Sequence, residues 1–446
     1  MPISAKKTEY FIFILLGKKL ISQTETYSVR KEIMEDVKIL LERYREQIEE
    51  LKDVPADRAA LKLQSLQPEH RLFILEQIEG RQKAGIRLPH WTQTDGICFP
   101  PQISMQQCSS EQTAAIKQDI AKEMLPHRTS MIDLTGGFGV DYTCLATLFD
   151  RSAYVERNAH LAAVAQHNAA ILGVLNGTFV NGDGIEYLSG NSNRYDLIFI
   201  DPARRDTAGR RVNSIEEYSP DLTECVHLLL EHLTEGGIVM AKLSPMLDIS
   251  RTISQLGNVG KVIITAVQNE CKELLFILKQ NTDSGNIGCR TINITAERSF
   301  TEQFTLPQDL QSAAVDSQDM LPQDFENKYL FEPDAAVMKS GCFGALAARY
   351  GITPVSGNSH LFTGTARNAD FPGRVFLIEK CFTYNKKNFG SIYSCANGAA
   401  NIACRNFTLS PDELRRQLGL RDGSDCYIFA TRNADGKGIV FVCRKK

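Results

Sequence analysis

Apolar residues recur at helical spacing between positions 29 and 52, at Ile33, Val37, Leu40, Leu41, Tyr44, Ile48 and Leu51, which predicts an amphipathic helix. Two more helical patterns follow at 57–65 and 68–82. A proline-rich extended stretch comes next (Leu88-Pro89-His90-Trp91, then Phe99-Pro100-Pro101). Positions 109–124 read as a helix capped by Ser109 or Ser110. The first 130 residues are thus expected to be mostly α-helical. From Ser130 the texture changes. Short apolar runs at 131–134, 152–156, 178–180, 197–200 and 237–241 alternate with helical patterns such as 158–172 and 220–233. That alternation predicts a parallel sheet covered by helices on both faces.

Leu274-Leu275-Phe276-Ile277-Leu278 reads as a late strand, antiparallel at the sheet edge. The Gln/Asp/Ser-rich stretch 301–327 reads as a linker or long loop. Positions 333–350 read as helical, with an exit at Gly351. Ser410, Pro411 and Gly419 mark the cap, first position and end of a last helix. Strands at 427–431 and 439–443 flank the turn Asp435-Gly436.

A chain of 446 residues exceeds one ordinary core and implies roughly two to four domains. Its 43% hydrophobic and 23% charged residues exclude a wholly disordered, collagen-like or membrane-embedded chain. With 50 basic and 53 acidic residues the net charge is −3, so any grip on nucleic acid has to be local. The charge is uneven: 131–278 carries −7, whereas 375–446 holds 12 basic and 6 acidic residues, +6. The twelve cysteines are scattered without any C-x-x-C pair, which removes zinc-ribbon and thioredoxin readings and suits free thiols in a reducing cytosol. The eight histidines form no H-x-x-x-H, so no metal is expected. An apolar burst at 10–16 runs straight into Gly17-Lys18-Lys19. It is too short to span a bilayer and lacks a small-x-small cleavage site, so a cytoplasmic protein without membrane contact is expected.

The strongest chemical signal is Asp133-Leu134-Thr135-Gly136-Gly137-Phe138-Gly139, a D-x-x-x-G-x-G run between a strand and a helix. Glycines there let the backbone turn sharply and approach a ligand closely. A dinucleotide fingerprint needs a glycine at position 142, where Tyr142 stands, so no pyrophosphate cradle is implied. The second strand ends in Glu156, suited to two ribose hydroxyls, unless it simply pairs with Arg157. The third leads to Asn181-Gly182-Asp183-Gly184, where a carboxylate can accept from an exocyclic amine or form an ordinary Asx turn. The fourth ends in Asp201-Pro202-Ala203-Arg204-Arg205. Four such tips on one edge of an open parallel sheet are far more specific than any one of them, because that edge is where such sheets bind ligands.

This set resembles the class I S-adenosylmethionine-dependent methyltransferases over roughly 105–280. Gln107-Cys108-Ser109-Ser110-Glu111-Gln112-Thr113-Ala114 upstream and Lys242-Leu243-Ser244-Pro245-Met246 downstream resemble one bacterial branch. There the catalytic domain precedes a ferredoxin-like and a THUMP-like domain. The resemblance implies an α/β protein: a helical region (1–105), a Rossmann-like methyltransferase domain (106–280), and two small α+β domains, ferredoxin-like (281–374) and THUMP-like (375–446). It further implies S-adenosylmethionine as cofactor. The cofactor would be held by Asp133, Thr135, Gly136, Gly137, Phe138, Gly139, Glu156, Arg157, Asp183, Gly184 and Asp201, with Ser110 and Thr113 closing the pocket. Asp201 and Pro202 would face the methyl group and its acceptor.

THUMP modules accompany enzymes that modify transfer RNA, so the resemblance implies a tRNA-modifying methyltransferase that binds RNA through the basic C-terminal domain. Lys380, Lys386, Lys387, Arg405, Arg415, Arg416, Arg444, Lys445 and Lys446 are the candidate phosphate contacts, with Phe382, Tyr384 and Phe389 interleaved. The sequence departs from the amino-methyltransferase motif, in which an aromatic follows two prolines. Here Arg204 or Arg205 would stack on a base or pair a phosphate, or else pair with Asp206, Glu216 or Glu217. Attack on carbon 5 of a pyrimidine needs a nucleophilic cysteine, and Cys225 and Cys271 sit in core-like patterns. A protein or small-molecule acceptor, and a non-catalytic RNA-binding scaffold, remain the rival readings.

Overall fold

The computed structural model describes residues 37–204, 214–282, 285–310, 321–423 and 425–445. The chain divides into two compact units. One comprises Met1–Asp201 with His227–Ile238, the other Pro202–Val226 with Val239–Lys446.

In the first unit the helical start is as the periodicity predicts, though broken into short pieces. Residues 37–43 are helical, followed by Arg45–Leu51, Ala56–Lys62 and Pro68–Ala84. Residues 29–36 of the first predicted helix lie outside the described residues. These helices bury Ile48, Leu51, Phe73, Ile74 and Ile78 in one apolar cluster that also takes in Trp91, Phe99 and Phe138. Helix Glu111–Met124 starts from a reciprocal cap: Ser110 Oγ accepts from the Thr113 amide at 3.2 Å, and Thr113 Oγ1 from the Ser110 amide at 3.2 Å.

The sheet of this unit is parallel, as the alternation predicts. Strand β1 (Ser130–Asp133) lies between β2 (Arg151–Glu156) and β4 (Tyr195–Ile200), and β3 (Gly177–Asn181) pairs with the far side of β2. The register sets Asp133 beside both Tyr154 and Phe199, and Glu156 beside Asn181, so the strand tips share one edge. Helices Val140–Ala146, Ala159–Ile171 and Gly184–Ser189 join consecutive strands.

In the second unit a two-residue ladder forms first, β5 (Ala203–Arg204) with β6 (Tyr218–Ser219). Strand β7 (Leu233–Leu243) begins in the first unit and ends in the second. Its last residues pair antiparallel with β9 (Glu270–Leu278), which pairs antiparallel with β8 (Val259–Val267). The late strand is therefore antiparallel but interior, not at the edge. The edge is taken by β10 (Ile287–Ile294), parallel to β8, and β11 (Ser299–Leu306), its antiparallel partner. Part of the expected loop at 301–327 is thus strand. Its polar residues are held by long-range partners: Glu302, 9% exposed, receives Arg349 and the Tyr350 hydroxyl.

A second sheet of seven strands follows, built from β12 (Tyr329–Pro333), β13 (Thr353–Pro354), β14 (Phe362–Gly364), β15 (Gly373–Thr383), β16 (Asn401–Cys404), β17 (Cys426–Arg432) and β18 (Gly438–Lys445). Their spatial order is β13-β14-β12-β15-β18-β17-β16. The helix expected over 333–350 is two, Ala335–Ser340 and Phe343–Tyr350, parted by Gly341 at φ +72°. Helix Pro411–Leu418 has Ser410 as cap and Gly419 in the left-handed region at its end, as its sequence dictates. Among the described residues no helix is long and apolar enough to cross a membrane. All twelve cysteines are free thiols.

Candidate active site

The edge where β1–β4 end gathers four acidic tips, and the backbone between them is tightly fixed. Asp133 is 1% exposed, and its Oδ1 accepts from the Thr135 amide at 2.9 Å. Burial, only partly opposed by that amide, pushes its carboxyl well above the usual range, helped by the neighbouring Asp141, Asp201 and Glu156. Thr135 Oγ1 in turn accepts from the Asp201 amide at 2.6 Å, tying the tip of β1 to that of β4. The glycines between are required. A Cβ on Gly136 would stand 2.1 Å from the Tyr154 ring, and Gly137 and Gly139 hold φ of +56° and +87°.

Glu156 Oε2 accepts from the Gly137 amide at 2.9 Å and Oε1 from the Asn158 amide at 2.7 Å. Each carboxylate oxygen has a second lone pair, so the group retains capacity for hydroxyl donors. Asp183 caps helix Gly184–Ser189: its Oδ1 accepts from Ile185 at 2.8 Å and Glu186 at 3.0 Å, while Oδ2 pairs with Arg157. Burial works against its charge, but those amides and the Arg157 guanidinium hold its carboxyl below the usual range. The Asx-turn reading of Asp183 is therefore realised, while Arg157, expected beside Glu156, pairs with Asp183. Gly184 is sterically fixed as well, since a Cβ there would lie 2.1 Å from the Leu134 carbonyl oxygen.

Three residues expected at the site serve other ends. Phe138 packs on Trp91 with ring centroids 4.8 Å apart, inside the N-terminal core. Ser110 and Thr113 spend their hydroxyls on capping their own helix. Beyond Asp201, Pro202 is buried and Arg204 lies opposite Tyr218 in the β5–β6 ladder. Arg205 falls outside the described residues.

The sequence reading missed a buried ionic cluster beside the glycine run. Lys117, 0% exposed, pairs with Asp141 Oδ1 at 3.1 Å, and Ser109 donates to Asp141 Oδ2 at 2.6 Å. Its one legible sign was an acidic residue two positions after Gly139. It also missed Tyr218, 2% exposed, whose hydroxyl has no hydrogen-bond partner among the described residues.

A cradle that a Cβ would fill, a buried carboxylate under it and acidic tips beside it suit a cationic, ribose-bearing cofactor. The chain matches a THUMP domain-like family over residues 373–445 and a ferredoxin-like domain over 329–372. It is similar to a crystal structure from Porphyromonas gingivalis described as that of a candidate methyltransferase: 29% identity, TM-score 0.81, covering 92% of this chain and 98% of that one. It is also 24% identical over 340 residues to an uncharacterized S-adenosylmethionine-dependent methyltransferase found in two strains of Mycobacterium tuberculosis, covering 74% of this chain and 87% of the relative. The chain is an S-adenosylmethionine-dependent methyltransferase with ferredoxin-like and THUMP-like domains. Its ferredoxin-like and THUMP-like modules share the seven-stranded sheet, because β15 pairs with both β12 and β18.

Within this methyltransferase the two thiols weighed for covalent attack on a pyrimidine ring, Cys225 and Cys271, are unsuited to it. Burial pushes Cys225 up to about 12 and Cys271 up to about 11, where neither is a nucleophile at neutral pH. Among the described residues no group of three or more His, Cys, Asp or Glu side chains is arranged to hold a metal ion. The basic C-terminal surface is partly committed. Lys380 pairs with Glu326 at 2.8 Å, Arg405 with Glu332 at 2.9 Å, Arg415 with Asp422 at 2.8 Å and Arg444 with Glu379 at 3.2 Å. Phe382, Tyr384 and Phe389 pack against the core beneath them.

Proposed function

We propose that this methyltransferase acts on structured RNA, transfer RNA foremost, in the cytoplasm. The observation that carries the reading is the match of residues 373–445 to a THUMP-like module on a chain whose other unit holds the acidic strand-tip site. Asp133, Gly137 and Gly139 would receive the methionine part of the cofactor, Glu156 its ribose, and Asp183 with Arg157 its adenine edge. Bound there, the cofactor supplies an electrophilic methyl group on a sulfonium. The protein's share is placement: in-line alignment of an acceptor contributes on the order of 7–11 kcal/mol. Asp201 would accept a hydrogen bond from an acceptor N–H and so turn its lone pair toward the methyl group, with the Pro202 carbonyl as a second acceptor. Arg204 and Arg205 would steady the base or an adjoining phosphate.

The ion pairs at Lys380, Arg405, Arg415 and Arg444 favour a second reading, a protein or small-molecule acceptor, because they reduce the charge open to phosphates. The pairs at Lys380, Arg415 and Arg444 lie at the surface, where each is worth only about 0–1 kcal/mol and yields readily to a polyanion, whereas Arg405 is held by the buried Glu332; those three and the remaining basic residues keep RNA the preferred acceptor. The test is nucleoside mass spectrometry of RNA from a deletion strain. The reading expects one methylated nucleoside to vanish and to return with the wild-type gene but not with Asp201→Ala. An unchanged nucleoside profile would reject it.

A further inference from the structure

Apart from the strand-tip site, the second unit holds a cavity of about 350 Å³ lined by the turns after β8 and β10, the end of β12, the loop before β15, and Lys445 of β18. Its size falls within the roughly 300–1,000 Å³ of small-ligand sites. We propose that this cavity receives one unstacked nucleotide of the RNA substrate, away from the site of methyl transfer. This inference rests on the RNA reading above.

The lining has the chemistry of nucleotide recognition. Gln268, Asn269 and Asn293 line one part of it. Asn293 is 2% exposed, and its Oδ1 accepts from the Asn269 amide at 3.2 Å, while Asn269 Oδ1 accepts from Ala335 at 2.8 Å. Asn293 also donates to the Asp334 carboxyl, so it supports Asn269 from within, and the exposed Gln268 and Asn269 amides are the ones placed to meet a base edge. Side-chain amides of this kind read base edges by paired donor and acceptor.

Arg298 supplies a stacking platform. Its guanidinium carbon lies 4.1 Å from the Phe300 ring centroid, and Nη1 donates to the Ala369 carbonyl at 2.8 Å. A guanidinium held flat in this way offers its other face to a base. Arg367 and Lys445, both exposed, stand at the same cavity for a phosphate. Of the carboxylates on the lining, Glu332 is 2% exposed and bound by Arg374 and Arg405, Asp334 caps a helix, and Glu297 is exposed. The acids therefore leave room for an anion beside Arg367 and Lys445.

The test uses the full-length protein and unfractionated bacterial transfer RNA, titrated by filter binding over a range of salt. Arg298→Lys keeps the charge and removes the planar fork, whereas Arg367→Ala removes a charge. The proposal expects each variant to bind about 5–20-fold more weakly. Arg367→Ala lowers the salt slope by about one, and Arg298→Lys leaves the slope unchanged. Photo-crosslinks from thiouridine-bearing RNA should fall within 295–300 or 367–369. Wild-type affinity in both variants, with transfer RNA still bound, overturns the cavity assignment and leaves the RNA reading intact. Failure of the wild-type protein to bind transfer RNA at low salt overturns both.

Discussion

At the scale of single residues, the site depends on groups buried for geometry rather than reactivity. Asp141 is the sharpest case: it is the second residue of the helix after the glycine run and answers the fully buried Lys117. Truncating it leaves an ammonium in a dry interior, which typically costs about 3–5 kcal/mol. Asp141→Ala should therefore lower the denaturant midpoint sharply, and a second change, Lys117→Met, should recover much of the loss. A single variant as stable as wild type would show that the pair holds nothing together. The glycines and Asp133 were legible in the sequence because backbone demands leave a residue-level trace. The roles of Phe138, Ser110 and Thr113 were not, since motif position does not reveal which way a side chain turns. Lys117 looks like any solvent-facing lysine until its burial is seen.

At the scale of elements, helix caps carry several functional-looking carboxylates. Asp334 caps helix Ala335–Ser340 through the Ala336 and Val337 amides, yet burial pushes its carboxyl up to about 6. A carboxyl raised above its unfolded value of about 3.9 favours the fold most when protonated, so its contribution is full below pH 4 and lost as pH rises through 6. Asn caps equally well without the charge. Asp334→Asn should therefore gain about 2–3 kcal/mol on wild type between pH 4 and 6, and the difference should stay flat above pH 7. Urea midpoints of the two proteins across that range check it, and a constant difference would contradict it. The parallel core was legible because alternating apolar runs and amphipathic stretches dictate it. The interior place of β9 and the strand at 299–306 were not. Both depend on partners distant in sequence, above all Arg349 and Tyr350, which satisfy Glu302 in a segment whose composition reads as loop.

At the scale of the whole molecule, a Rossmann-like sheet with acidic tips is joined to a second sheet formed by the ferredoxin-like and THUMP-like segments together. The basic surplus of the C-terminal segment was visible in composition, whereas its partial use in ion pairs to Glu326, Glu332, Glu379 and Asp422 required coordinates. The central claim is that the tips of β1–β4 form the cofactor pocket. Calorimetric titration of S-adenosylmethionine into the full-length wild type, Asp133→Asn and Glu156→Ala tests it most directly. One saturable site in the wild type, weakened at least about tenfold in each variant, is the predicted result: the cationic cofactor draws Asp133 toward its charged form, which asparagine cannot adopt, and a lost charge-assisted hydrogen bond is worth about 1.5–3 kcal/mol. Equal affinity in all three folded proteins would place the cofactor elsewhere and contradict the assignment.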